Sequence, residues 1–283
     1  MSWLAAPAGR RQLVQPGGPR PFPTQRQRTS GVRFSRVTIA RTALIVGAFA
    51  ALEALCRSGI IDRVTMIPPT EMVGALWRIL ATGRFNEDIA FTIWNTVVAI
   101  AFSVGGGFFV GALLHALPRV RRAIEPLLSA YYAVPIFVFY PLLVVVFGIG
   151  RASLIAMGAL FGIVAMVVNT MLGLDRVPVV IGKTAAIMRL GPWSKLLLVR
   201  LPAAGPHLVT GVKLAVAYTV IAIVAGEFIL ATAGMGKRIA FGYNDFDNPT
   251  MYGMLLLLLA MVMVVNGALS AWERRLHRRF GQR

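Results

Sequence analysis

The chain has 283 residues, 57% of them hydrophobic and 14% charged, with a mean hydropathy of +0.71. Soluble domains carry about 25% charged residues, so this composition excludes an ordinary soluble domain and points to a membrane protein. The net charge of +18 would suit a nucleic-acid binder, but the basic residues flank apolar segments instead of forming one patch, and no nucleic acid partner is expected.

Residues 1–41 are rich in Arg, Pro, Gly and Gln and lack the apolar stretch of a cleavable signal. They predict a disordered basic tail close to anionic lipid headgroups. Residues 42–271 follow as the membrane domain. About 20 apolar residues cross a bilayer as a helix, and six stretches qualify: 42–61, 89–117, 127–149, 152–172, 208–231 and 251–271. Long apolar runs, with backbone polar groups that must be satisfied within lipid, predict an all-α polytopic fold of six transmembrane helices. Glu53 and Arg57 make the first span the weakest. Residues 272–283 form a basic C-terminus.

Lys and Arg set the orientation. With the N-terminus inside, the inner segments 1–41, 118–126, 174–207 and 272–283 hold 21 basic residues, against six in the outer segments. Asp62, Glu71, Glu87, Asp88, Asp245 and Asp247 fall outside. Both termini are therefore expected in the cytoplasm, and the high net charge is mostly an orientation signal.

The longest inner loop between spans, 174–207, contains "IGKTAAIMRLGPW" (181–193). Its Gly-Lys-Thr invites a phosphate-loop reading. Such a loop needs a glycine five residues before the Gly-Lys, so that successive amides curl around phosphate. Val177 stands there, and Pro178 after it has no amide hydrogen to donate. The tripeptide is not a nucleotide site. Instead, 179–190 predicts a short helix stopped by Gly191-Pro192, followed by a second short segment, "WSKLLLVRLP", closing at Leu201-Pro202.

The ordered pieces resemble one family. A helix–Gly–helix loop ending in Leu-Pro before the penultimate span is similar to the coupling loop of binding-protein-dependent ABC importer permeases. "IPPTEMVGALWRIL" (67–80) looks like that family's Pro-rich lead into an outer helix. "IEPLLSAYYAVPIFVFYPLLVVVFGIG" (124–150) is similar to its third span, and "AGEFILATAGMGKRI" (225–239) to the end of its fifth. The nitrate, sulfonate and taurine type is the most similar, and the resemblance covers about 67–279. It implies a type I importer fold with a cytoplasmic coupling helix, placed in a bacterial inner membrane. It further implies a homodimer of permeases, two ATP-binding subunits that alone hold ATP and Mg, and an extracytoplasmic substrate-binding protein docking on 62–88 and 232–250. The chain itself would be no enzyme and would carry no cofactor. Its cargo would be a small organic or inorganic anion. A secondary transporter is the alternative, although no internal repeat marks two halves.

The resemblance assigns the ATPase-coupling role to Lys183, Thr184, Ala185, Ala186, Arg189, Gly191, Pro192, Trp193, Leu201 and Pro202. The family pattern begins Glu-Ala-Ala with Gly six residues after the Glu. Ungapped, those positions read Lys183, Thr184, Ala185 and Arg189, and a two-residue shift recovers Gly191 with Ala185 at the acid position. Lys183 is thus a basic residue where an acid is usual.

Candidates for the translocation path come from the residues alone. An ionisable group within a span is costly and marks function by default, which selects Glu227; a hydrogen-bonded helix clamp is its structural reading. Asn95 and Asn169 are polar positions that either bind helix to helix or line a path. Pro135 and Pro141 break the third span, as helices that line a cavity do. Lys213 reads as snorkelling to headgroups. The single Cys56 and the scattered His115, His207 and His277 form no metal-ligand set.

Overall fold

The computed structural model describes residues 36–131, 133–135, 138–178, 180, 187, 188, 191, 194 and 196–280. The chain divides into two compact units, 1–47 and 48–283, and the account below concerns the second, together with the helix that crosses the boundary.

All regular structure among the described residues is helical. Helix α1 (Arg36–Arg57) is followed by α2 (Pro69–Thr82), α3 (Asn86–Ala116), α4 (Pro118–Tyr131) and α5 (Phe139–Phe147). Then come α6 (Arg151–Asp175), a widened turn at Leu196–Arg200, α7 (Leu201–Leu230), α8 (Met235–Asn244) and α9 (Asn248–Phe280). Among the described residues, five helical stretches are long and apolar enough to cross a membrane: Ile39–Arg57, Asn86–Ala116, Arg151–Asp175, Leu198–Ile229 and Asn248–Arg275.

The expected third span, 127–149, is not one of them. Its place is taken by two short helices, α4 and α5, on either side of Pro135. Proline lacks an amide hydrogen and pushes the residue before it out of helical geometry, which is consistent with the break. The inner segment expected at 118–126 is itself the start of α4. At its other end, Pro141 sits within the first turn of α5, where a missing N–H costs little.

A second correction concerns Leu201-Pro202, read as a helix stop. The chain enters α7 there, with Pro202 in the first turn, and the widened turn before it runs straight on. Proline at the first helical positions starts a helix as readily as it ends one. Likewise α9 continues through the basic segment after residue 271 as far as Phe280. Lys213 of α7 reaches Glu273 there at 2.8 Å, so it is paired with a carboxylate on α9 and not simply extended to headgroups. Helix α1 starts at Arg36, inside the stretch expected as a tail.

The core is built around α6, which packs between α3 and α7. Phe91 and Ala99 of α3, Leu154 and Met157 of α6, and Ala222 and Ile223 of α7 form its centre, with Tyr140 and Leu143 of α5 against them. Without a hydrophobic drive between helices in lipid, close approach depends on small residues. A Cβ built on Gly107 would stand 2.8 Å from the Ile163 carbonyl oxygen, and one on Gly111 would stand 2.7 Å from Thr170 Cβ. Below, α2 packs on α9, and α8 on α7, α9 and α3. Glu53 of α1 organises the start of α2: its carboxylate accepts the Thr70 amide at 3.0 Å and the Thr70 hydroxyl at 2.6 Å, and Arg57 closes on it at 2.6 Å.

These contacts separate two glycines of one helix. Gly111→Leu is expected to lower the stability of the purified protein by about 1–3 kcal/mol through overpacking. Gly105→Leu, with no neighbour within 4 Å, is expected to change it by less than about 0.5 kcal/mol. The thermal unfolding midpoints of the two variants in one detergent make the comparison.

Candidate functional site

One stripe of α3 carries several of the buried polar side chains among the described residues. Asp88, Thr92, Asn95, Ala99, Ser103, Gly107 and Gly111 recur at three- and four-residue intervals and are all buried, the spacing of one helical face. At its centre the Ser103 and Thr219 hydroxyls lie 3.2 Å apart, and Thr219 donates to the Gly158 carbonyl at 3.1 Å. This ties α3, α6 and α7 through one polar contact.

At the Asp88 end the stripe meets Glu227, which is fully buried. Glu227 Oε2 accepts the Thr92 hydroxyl at 2.7 Å and the Gly236 amide at 3.1 Å. Thr92 Oγ1 in turn accepts the Met235 amide at 2.8 Å. Asp88 Oδ1 accepts the Gly234 amide at 2.9 Å, and its Oδ2 receives Arg238 Nε at 2.6 Å. The amides of Gly234, Met235 and Gly236 are those a helix leaves unpaired where it begins. Side chains from α3 and α7 take all three. Two carboxylates also lie at the positive end of the α8 dipole, the favourable end for them.

The Gly234-Met235-Gly236 sequence follows from this packing. Gly234 has φ 115°, a conformation that disfavours side chains, and a Cβ there would strike the Glu227 carboxyl group. A Cβ on Gly236 would stand 2.5 Å from the Val224 carbonyl oxygen. Met235 between them is completely buried against Ile79, Phe85 and Met254.

Of the path candidates, the structure brings Glu227 and Asn95 to the same end of this stripe. Asn95 is fully buried, and among the described residues neither its amide atoms nor Glu227 Oε1 has a hydrogen-bond partner. Asn169 lies elsewhere, on α6, donating to the Ala165 carbonyl at 2.8 Å and packed beneath Gly211. Pro135 is exposed between α4 and α5, and Pro141 is exposed on α5. Of the coupling-loop residues, Lys183, Thr184, Ala185, Ala186, Arg189, Pro192 and Trp193 lie outside the described residues. Gly191 is exposed, and Leu201 and Pro202 are half-buried in the first turn of α7.

Sequence reasoning missed Asp88, Thr92 and Arg238. Asp88 was counted among outer-loop acids, yet it is buried in the first turn of α3. Its four-residue spacing to Thr92 was available, but nothing local shows that a helix start 146 residues away will dock there. Among the described residues no three His, Cys, Asp or Glu side chains are grouped to hold a metal ion. The polar groups are engaged with backbone amides, so the arrangement clamps helices and presents no nucleophile beside a base.

Comparison with known proteins places this geometry. Residues 103–282 match the family described as binding-protein-dependent transport system inner membrane component. The riboflavin transport system permease protein RibX of Chloroflexus aurantiacus is 26% identical over 218 residues, covering 74% of this chain and 78% of that protein. The taurine transport system permease protein TauC of Escherichia coli is 26% identical over 224 residues, 77% of this chain and 81% of its own. Among solved structures, an inward-facing crystal form of the MetNI methionine ABC transporter contains a chain that superposes with a TM-score of 0.61. That match is 20% identical in sequence and covers 69% of this chain and 97% of the other; it shows a shared fold.

The clamp yields a graded test. Thr92→Val removes the acceptor of one α8 amide and a donor to Glu227, and is expected to cost about 1–3 kcal/mol. Thr92→Ser, which keeps the hydroxyl, is expected to retain most of that stability. Thermal unfolding of the two variants in the same detergent reads the difference.

Proposed function

Since the chain belongs to the family of binding-protein-dependent transport system inner membrane components, we propose that it carries a small organic or inorganic anion of the sulfonate, nitrate or taurine kind. The family fixes the coarser facts. The chain is the permease component of an ABC importer and a multi-pass inner-membrane protein, and it is not itself an enzyme. ATP is bound by a partner ATPase, and a binding protein delivers substrate. Membership also sets aside the secondary-transporter alternative.

The single observation that carries the importer reading is the family match over 103–282, which spans the loop, the last two long helices and Glu227. The similarity to TauC supports the anion class, and the similarity to RibX is what an experiment must weigh against it. Two copies of the chain would pair with two ATPases. An apolar groove of about 690 Å³ between α7 and α9, lined by Val216, Val220, Val224, Phe228, Leu258 and Val262 among others, offers a second copy a surface that needs no polar pairing. Both termini face the cytoplasm in this reading, as the Lys and Arg distribution suggests. The six-span topology is completed by α4 and α5 acting together as one broken span.

In the transport cycle, closure of the ATPases on nucleotide would press on loop 174–207, through Lys183, Thr184, Ala185, Ala186, Arg189 and the Gly191–Trp193 turn. Leu201 and Pro202 open α7, so movement there enters that helix directly. Glu227, Asn95 and Asn169, with the break at Pro135 and with Pro141 in the first turn of α5, would supply the polar and irregular positions along the path. The binding protein would dock on 62–88 and 232–250. The Glu227 end of α7 belongs to that side, where α8 is clamped and a docking surface has to be rigid.

Two outcomes are expected. In proteoliposomes holding the permease and its ATPase, vanadate-sensitive uptake of taurine or another small sulfonate should require the cognate binding protein. Riboflavin uptake without sulfonate uptake would overturn the anion assignment. Lys183→Glu should alter the amount of ATPase that co-purifies with the permease; an unchanged yield would remove charge matching at this position from the coupling account.

A further inference from the structure

Loop 174–207 leaves the bundle and returns to it at one place. Its first end is the C-terminus of α6, and its last is the start of α7. These ends lie against each other: a Cβ on Gly173 would stand 3.2 Å from the Ala204 carbonyl oxygen and 3.0 Å from His207 Cβ. Ala204 is completely buried.

Asp175, the last residue of α6, reaches two other helices from that place. Arg121 Nη1 of α4 lies 2.9 Å from one carboxylate oxygen of Asp175 and 2.7 Å from the other. His115 Nδ1, in the last turn of α3, lies 3.0 Å from Oδ1. Arg121 also lies 3.8 Å from Glu125 on its own helix. The side chains of Asp175 and Arg121 are 35% and 22% exposed, shielded enough for a charge-assisted pair to hold better than a fully solvated one.

Other contacts of helix α4 with described residues are made along one face. Arg121, Ile124, Leu128 and Tyr131 share one face, spaced by three and four residues. Ile124 and Leu128 are only partly buried, against Leu114, Val167 and Met171. At the far end Tyr131 donates its hydroxyl to the Leu160 carbonyl at 3.1 Å. The helix is therefore an arm laid along α6, fastened by polar contacts near both ends. Beyond it the chain breaks at Pro135 and resumes in α5, whose Tyr140 and Leu143 enter the central core.

We propose that Asp175 is a transmission node, passing displacement of loop 174–207 to α4 through Arg121 and to α3 through His115. Arg121 is then a positioning residue for transport: it touches no substrate and makes α4 follow the loop. The assignment rests on the importer reading and adds the connection between the ATPase-facing loop and the broken span. Without the pair, loop and α7 still move under the ATPase while α4 lags, so hydrolysis proceeds and transport does not keep pace.

The test measures the ratio of taurine uptake, or of riboflavin uptake where only that is carried, to ATP hydrolysis in proteoliposomes of the full complex with its binding protein. R121A and R121Q are each expected to lower that ratio about tenfold, the scale of one lost charge-assisted bond, with the ATPase recovered in normal amount. The swap R121D/D175R is expected to restore most of it. R122A, whose guanidinium donates to the Pro118 carbonyl of its own helix at 3.4 Å, is expected to match the unmodified complex. A ratio unchanged in both Arg121 variants, or uptake and hydrolysis falling in proportion, overturns the node alone. Absence of ATP-driven uptake in the unmodified complex overturns the importer reading and the node with it.

Discussion

A helix that begins in a protein interior must dispose of amide hydrogens that no helical carbonyl can reach, and away from water they need another partner. The start of α8 is in that position. The chain answers with Asp88, Thr92 and Glu227, drawn from helices separated by more than a hundred residues in sequence. Much else depends on that solution. It holds α8 against α3 and α7, sets the level at which Met235 enters the core beside Phe85 and Met254, and requires glycine on both sides of it.

The same stripe of α3 that supplies Asp88 and Thr92 carries small residues toward its other end, Ala99, Ser103, Gly107 and Gly111. One face therefore does two jobs: polar docking at one end and close backbone approach along the rest. Because α6 is enclosed by α3 and α7, those three helices act as one packed body. Helices α4 and α5 are joined to it by fewer contacts and separated from each other at Pro135. A permease has to hold some helices together while others change place, and the division between packed body and lightly tied arm is one that packing alone creates. Rigid elements with localised breaks are the usual means of such movement.

Most of the architecture was legible before any coordinates. Four of the long spans appear within a few residues of their sequence limits, because twenty apolar residues leave few alternatives to a membrane helix. Helix ends were less legible. Leu201-Pro202 can stop a helix or start one, and only the neighbouring turn at Leu196–Arg200 shows which. Pro135 and Pro141 marked a break in the third span, but which proline ends a helix was not legible: the chain breaks at Pro135 and carries Pro141 inside the first turn of α5. At the candidate site Glu227 stood out as an acid in an apolar run. Its partners did not, since an Asp and a Thr near a helix start usually serve their own helix.

What the sequence by itself determined, then, is the class of molecule: a membrane-embedded helical permease whose basic residues gather in the segments between and beyond its apolar spans. Solvation decides those properties residue by residue, so they can be read locally. Only the tertiary structure decided which polar groups meet. That Glu227 caps α8, that Lys213 finds Glu273 and that Asp175 joins α3 to α4 depend on helix register and crossing. Those are set by steric fit among glycines and bulky neighbours in several helices at once, and no single stretch of chain contains that information.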